Sequence, residues 1–82
     1  MPRRAPIIRR LDAALDKMRA QGMAVRAIYL TADDWDAFND ARSKEYGTPL
    51  VAFQYLGVEI RSGQTSTIYS THGVGLSVPR RA

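Results

Sequence analysis

The chain contains no cysteine, which removes disulfide frameworks and every thiolate chemistry at once. Long apolar runs are also missing. The longest stretch without a charge, Ser62 to Pro79, is rich in Ser, Thr and Gly and far too polar to span a bilayer. Arg3, Arg4, Arg9 and Arg10 make the N-terminus positive, but no apolar stretch of signal-peptide length follows them, so a cytoplasmic location is expected. At 82 residues and 9.1 kDa the chain has room for one domain, residues 1–82, with 1–5 and 80–82 read as loose ends. Scaffolds such as a (β/α)8 barrel or a two-domain dehydrogenase are excluded by size alone.

With 45% hydrophobic and 24% charged residues, the chain has the composition of a folded domain rather than a disordered one. Arg outnumbers Lys ten to two and there are eleven Ala, which reads as the codon bias of a GC-rich bacterial genome or its phage. Charge is unevenly placed. Residues 1–26 carry +5, residues 27–45 carry −3 and residues 46–82 carry +2. The molecule is therefore expected to be an electrical dipole rather than a uniformly basic body.

Local signals order the elements as α-β-α-β-β-β(-β). Pro6 opens a helix to about Gln21, since its missing N–H would be unpaired in the first turn anyway. Ile8, Leu11, Leu15 and Met18, widened by Ala14, form its apolar stripe. Gly22 suits the left-handed position after the last turn, with Met23 packing back. Ala24 to Leu30 reads as a strand, with Arg26, Ile28 and Leu30 on one side and Val25, Ala27 and Tyr29 on the other. Thr31 caps a second helix running to about Glu45. Asp34 is placed to reach back to the Thr31 N–H, and Leu30 and Trp35 form a hydrophobic staple. Trp35, Phe38, Ala41, Arg42 and Tyr46 make its expected inner stripe. Leu50–Tyr55, Val58–Arg61, Ser66–Thr71 and Val74–Val78 read as strands, with a turn at His72-Gly73 and either a hairpin turn at Leu56-Gly57 or a Gly57 bulge within one long strand. Short turns imply an antiparallel sheet, and the expected fold is α+β with two helices packed on one face.

Catalytic patterns are weak. His72 beside Ser66 and Ser70 could act as a general base, but nothing in the sequence supplies the orienting group and oxyanion site that a nucleophile needs. Asp33, Asp34, Asp36 and Asp40 lack the spacing of a calcium loop and fit a capped helix start instead. Gly73-Val74-Gly75 is not followed by a helix that could receive a pyrophosphate. The segment Ser62 to Pro79 resembles the hairpin of small bacterial RNA-cleaving toxins with a double-stranded-RNA-binding fold. Where those carry a catalytic His, this chain has Gln64 or Thr65, and the rest of the chain does not follow the pattern.

The basic residues carry more. Arg3, Arg4, Arg9, Arg10, Lys17, Arg19, Arg26, Arg80 and Arg81 could form one polyanion- or partner-binding surface if the termini meet. Tyr29, Phe53, Tyr55 and Tyr69, all on strands, could add base stacking. A chain this short buries only about 60–65% of its unfolded surface, and an open sheet leaves edges, so a homodimer is expected. The sequence thus points to a small non-enzymatic protein of bacterial or phage origin acting through protein–protein interaction or assembly, with no cofactor, metal, membrane or small-molecule substrate. A nucleic-acid-binding accessory protein using the basic first helix is the alternative. A small hydrolase or RNase using His72 comes third.

Overall fold

Periodicity and capping set both helices of this chain. A computed structural model describes residues 5–80; Arg3, Arg4 and Arg81 lie outside the described residues. Helix α1 spans Pro6–Ala20, with Pro6 in the first turn and Ala5 as N-cap without a side-chain cap. Its inner face is Ile7, Ile8, Leu11, Ala14, Leu15 and Met18, none more than 3% exposed. The helix stops at Gly22, whose φ of +76° a side chain would resist. The Gly22 N–H donates to Arg19 O (2.9 Å) and the Met23 N–H to Met18 O (3.2 Å), the paired bonds of a Schellman motif.

Strand β1, Val25–Leu30, follows and becomes the middle of the sheet. Helix α2 spans Ala32–Tyr46 and ends at Gly47 with φ +70°. Thr31 caps it as expected, its Oγ1 accepting from the Asp34 N–H at 3.2 Å. The reverse half of the box differs: the Thr31 N–H donates to Ser66 Oγ at 3.2 Å. Asp34 turns instead toward Arg10, whose guanidinium offers two charged donors where Thr31 offers one neutral amide.

The inner stripe of α2 is narrower than the sequence implies. Phe38 and Ala41 are buried, Trp35 is half-buried, and Tyr46 is 61% exposed. Arg42 is the cause. Its guanidinium lies 5.6 Å from the Tyr55 ring centre and 5.0 Å from that of Tyr46, so it occupies the space between Tyr46 and the core.

The expected strand Leu50–Tyr55 shrinks to β2, Gln54–Tyr55. The preceding residues are extended apolar chain but pair with side chains of α2. Ser43 Oγ accepts from the Leu50 N–H (3.0 Å), Asn39 Oδ1 accepts from the Ala52 N–H (2.8 Å), and Trp35 Nε1 donates to Ala52 O (3.0 Å). Trp35, Asn39 and Ser43 sit at i, i+4 and i+8, one face of a helix. Leu56 (φ +50°) and Gly57 (φ +79°) then turn the chain, the two positive φ values of a type I′ hairpin, into β3, Val58–Ser62. Strands β4, Thr67–Ser70, and β5, Gly75–Ser77, complete a five-stranded sheet among the described residues.

The strand order is β2-β3-β1-β4-β5. The α+β class holds, and both helices pack into the core formed on one sheet face. The sheet is mixed, however, rather than antiparallel: β1 and β3 pair in parallel, with Ile28 opposite Ile60. After α2 the chain re-enters as β2, antiparallel to β3 and so opposite in direction to β1, and the Leu56-Gly57 turn then sends β3 back parallel to β1. The core joins the inner residues of both helices to Ile28, Leu30, Tyr55, Val58, Ile60 and Ile68. Tyr55 closes it, its ring edge-on to Phe38 at 5.4 Å and its hydroxyl donating to Asp12 Oδ1 at 2.6 Å. No described helix is long and apolar enough to cross a membrane.

Candidate functional site on the uncovered sheet face

Strand residues alternate between two faces, so the residues not facing the helices are fixed once the inner ones are known. Two rows cross the opposite face. In register across the strands, one row runs Gln54, Glu59, Ala27, Tyr69, Gly75. The next runs Arg61, Tyr29, Thr67, Ser77. Among the described residues, no helix covers this face. A concavity of about 460 Å³ opens there, lined by Arg26, Ala27, Tyr29, Arg61, Thr67, Tyr69 and the loop residues Gly63, Gln64 and Thr65, among others. Its size falls in the usual range for a ligand cleft.

Tyr29 and Tyr69 stand on neighbouring central strands, their rings 5.3 Å apart and nearly perpendicular at 86°. Two glycines make room for them. A Cβ on Gly75 would come within 3.0 Å of Tyr69 Cε1, and one on Gly63 within 3.1 Å of Tyr29 Cβ. Neither glycine has a positive φ, so space rather than backbone conformation requires them. Tyr69 thus lies across the strand beside it, covering the gap that Gly75 leaves. Tyr69 is 38% exposed, enough to offer a ring to a ligand.

Charge frames the rings. Arg61 Nη2 donates to Glu59 Oε2 at 3.0 Å. That hydrogen bond outweighs the opposing desolvation and, with the smaller contributions of the Arg61 and Arg26 charges, holds the Glu59 carboxyl below its usual value. Glu59 and then Tyr29 hold Arg61 above its usual value. The face therefore bears two cations, one anion and two aromatic rings.

The basic residues singled out from the sequence divide between layers. Arg26 lines the cleft. Arg9, Lys17 and Arg19 are exposed on α1, in the layer that covers the other face, and form no ion pair among the described residues. Arg80 is exposed near the end of the chain. Arg10 is committed elsewhere. Its guanidinium grips Asp34 with two hydrogen bonds (3.0 and 3.2 Å), Nε donates to Pro79 O, and Ser66 Oγ donates to the same carboxylate. Partial burial pushes the Asp34 carboxyl up, but the bonds from Arg10 and Ser66 outweigh it and hold the group below its ordinary value. This clasp joins α1, the start of α2, the start of β4 and the C-terminal segment.

His72 and its serines do not form a catalytic set. Buried Ser70 accepts the backbone N–H groups of His72 (3.2 Å) and Val74 (3.0 Å), bracing the turn between β4 and β5. Ser66 belongs to the clasp. The side chain of His72 is exposed and makes no hydrogen bond among the described residues. Sequence reasoning gave no binding role to Glu59, Arg61 and Thr67. Their signal was present as alternation, since Glu59 and Arg61 flank Ile60, and Thr67 and Tyr69 flank Ile68.

No family model matches this chain, and neither curated proteins nor solved structures include a significant match to it.

Proposed function

We propose that this protein is a non-catalytic binder of single-stranded nucleic acid, and that the uncovered sheet face is its binding surface. One observation carries the reading: Tyr29 and Tyr69 sit together on adjacent central strands, seated over glycines, in a cleft flanked by Arg26 and Arg61. Stacking on aromatic rings with cations nearby for phosphates is how sheets hold unpaired bases. An outward face meant only for water would carry small polar and charged residues at these positions. Duplex DNA fits less well, because the face presents no helix for a major groove.

Fluorescence anisotropy with a labelled single-stranded oligonucleotide at about 50 and 200 mM salt tests this. Wild type binds more weakly at the higher salt. Tyr69→Ala loses about 5- to 150-fold in affinity, the range for one base stack, whereas Tyr69→Phe keeps most of it. Absence of wild-type binding at low salt, or a Tyr69→Ala variant that binds as wild type, refutes the reading.

A second reading, protein–protein contact, has its own observation. Val51, Phe53 and Leu56 are each more than 60% exposed near one corner of the sheet, and Leu56 holds a positive φ that costs an apolar residue about 1 kcal/mol. Strained exposed apolar residues mark contact surfaces more often than solvated ones. Self-association through the Ile8, Leu11, Leu15 and Met18 stripe does not fit, because that stripe is buried within the monomer, and this corner is the surface we propose for it instead. Sedimentation at tens of micromolar decides it: a mass near twice 9.1 kDa that reverts to the monomer in Phe53→Ser supports the corner, and a monomeric wild type refutes it.

A further inference from the structure

Glu59 stands out on the proposed binding face as an acidic group where a phosphate ligand would meet repulsion. It lies two residues from Arg61 on β3, and both point away from the helices. Its carboxylate receives the Arg61 guanidinium at 3.0 Å. Across the parallel ladder it is opposite Ala27, next in sequence to Arg26. We propose, resting on the nucleic-acid reading above, that Glu59 is a built-in stand-in for the ligand's phosphate: it occupies the anion position of Arg61 in the free protein and is displaced when a strand binds.

The physical case has three parts. Both partners are exposed, each about half, so their mutual attraction is screened and the pair is easily exchanged. Arg61 also faces Tyr29, so a phosphate taken up by this guanidinium would belong to a nucleotide whose base is beside the ring pair. Finally, Arg61 and Glu59 together bring no net charge to the strand, so the pair displaces fewer of the cations condensed on the nucleic acid than a lone arginine would and lowers both affinity and salt dependence. Glu59 would therefore disfavour binding by charge alone and leave stacking on Tyr29 and Tyr69 to decide what binds. It acts on Arg61 rather than on the ligand's base, and so is a specificity residue and not a contact for stacking.

The test compares Glu59→Gln with Asp16→Asn, which removes the same charge from the solvent face of α1 in the other layer. The probe is a labelled oligo-dT, read by anisotropy across a salt series. Glu59→Gln is expected to bind about 2- to 5-fold tighter at low salt, the worth of an exposed ion pair. Its salt slope steepens by about 0.7, one phosphate contact on a single strand. Asp16→Asn keeps the wild-type slope. If Glu59→Gln matches Asp16→Asn in affinity and slope while wild type binds and Tyr69→Ala does not, the stand-in is refuted and the stacking face survives. Weaker binding by Glu59→Gln also refutes it, since Glu59 would then be positioning Arg61 for the ligand. No binding by wild type overturns both readings together.

Discussion

Replacing Arg10 by Gln removes one side of the clasp that ties four parts of the chain together. The magnitude follows from where this pair falls between two limits. An exposed ion pair contributes about 0–1 kcal/mol. Breaking a fully buried one costs about 3–5 kcal/mol, because a charge is left behind without its partner. The Arg10 and Asp34 side chains are 15% and 19% exposed, closer to the buried limit, but Asp34 keeps its bond from Ser66. Arg10→Gln should therefore destabilise the domain by about 2 kcal/mol, which lowers the melting temperature by about 8–16 °C for a chain of this size. Lys17→Gln, on the same helix but exposed and without an ion pair among the described residues, should stay within about 0.5 kcal/mol of wild type. Circular dichroism melts of both variants provide the check. The pair also predicts the acid limb of stability. Asp34 in the folded protein holds its proton less tightly than its ordinary value of 3.8, so the unfolded chain binds more protons in the window just below that value. Its contribution is complete above that window and disappears as pH falls through the folded-state pKa. Arg10→Gln should flatten that fall while leaving the plateau near neutrality lower. The double change Arg10→Gln with Asp34→Asn should cost less than the two singles added, because neither charge is then orphaned. An Arg10→Gln protein melting within about 2 °C of wild type, with an unchanged acid limb, would refute the clasp as a stabilising feature.

Thr31→Ala should lose about 0.5–2 kcal/mol through its missing cap, read from urea titration. Trp35→Phe should lose about 1 kcal/mol, because it keeps a ring against Phe53 but leaves Ala52 O without its donor; a loss above about 3 kcal/mol would mean that the indole volume matters more than its N–H. Leu56→Asn should raise the melting temperature by about 4 °C, since Asn-Gly suits a type I′ turn and the lost side chain is exposed; a lower melting temperature would show that Leu56 packs in solution. Gly75→Val should displace the Tyr69 ring and weaken oligonucleotide binding several-fold, and unchanged binding would show that the seat is not needed.

The helices were legible because their determinants are local. Thr31, Gly22 and Gly47 act within a turn or two of the chain, and an apolar stripe such as Leu11, Leu15 and Met18 can be counted directly. The Leu56-Gly57 hairpin was one of two local readings, and the structure selects it over a Gly57 bulge in one long strand. Sheet order was not legible, since β1 pairs with β3 and β4, residues some thirty to forty-five positions away, and no local signal says that the strand after the Leu56-Gly57 turn lies beside β1 and parallel to it. Leu50 to Phe53 misled because apolar alternation describes an extended chain without naming its partner. Here that partner is the polar ladder Trp35, Asn39 and Ser43, visible only as a spacing of four on a helix read for its apolar side. Arg10 misled in a related way. An arginine on an exposed-looking helix face is ordinarily solvated, and only the fold brings Asp34 and the Pro79 carbonyl to it.

The candidate site follows from how the apolar residues are distributed. Both helices and the inward strand residues fill one face completely, with Leu11, Met18, Ile28, Leu30, Phe38 and Ile68 at zero exposure. Three of the four strand pairings are antiparallel, and an antiparallel sheet can leave one face to water provided that face is polar. Residues outward on β1 and β4 would then be of the kind seen at Thr67. Instead Ala27 forms a floor between Tyr29 and Tyr69, two residues that bury well and stack well, with cations only at the margin. Tyr29 and Tyr69 stand perpendicular with a cleft beside them, and Gly63 and Gly75 are the residues that make their positions sterically possible. A second helical layer would have filled that space with aliphatic side chains, as α1 and α2 do on the other face. The ring pair, the two glycines and the flanking arginines fit better with a flat, anionic occupant supplied from outside the chain.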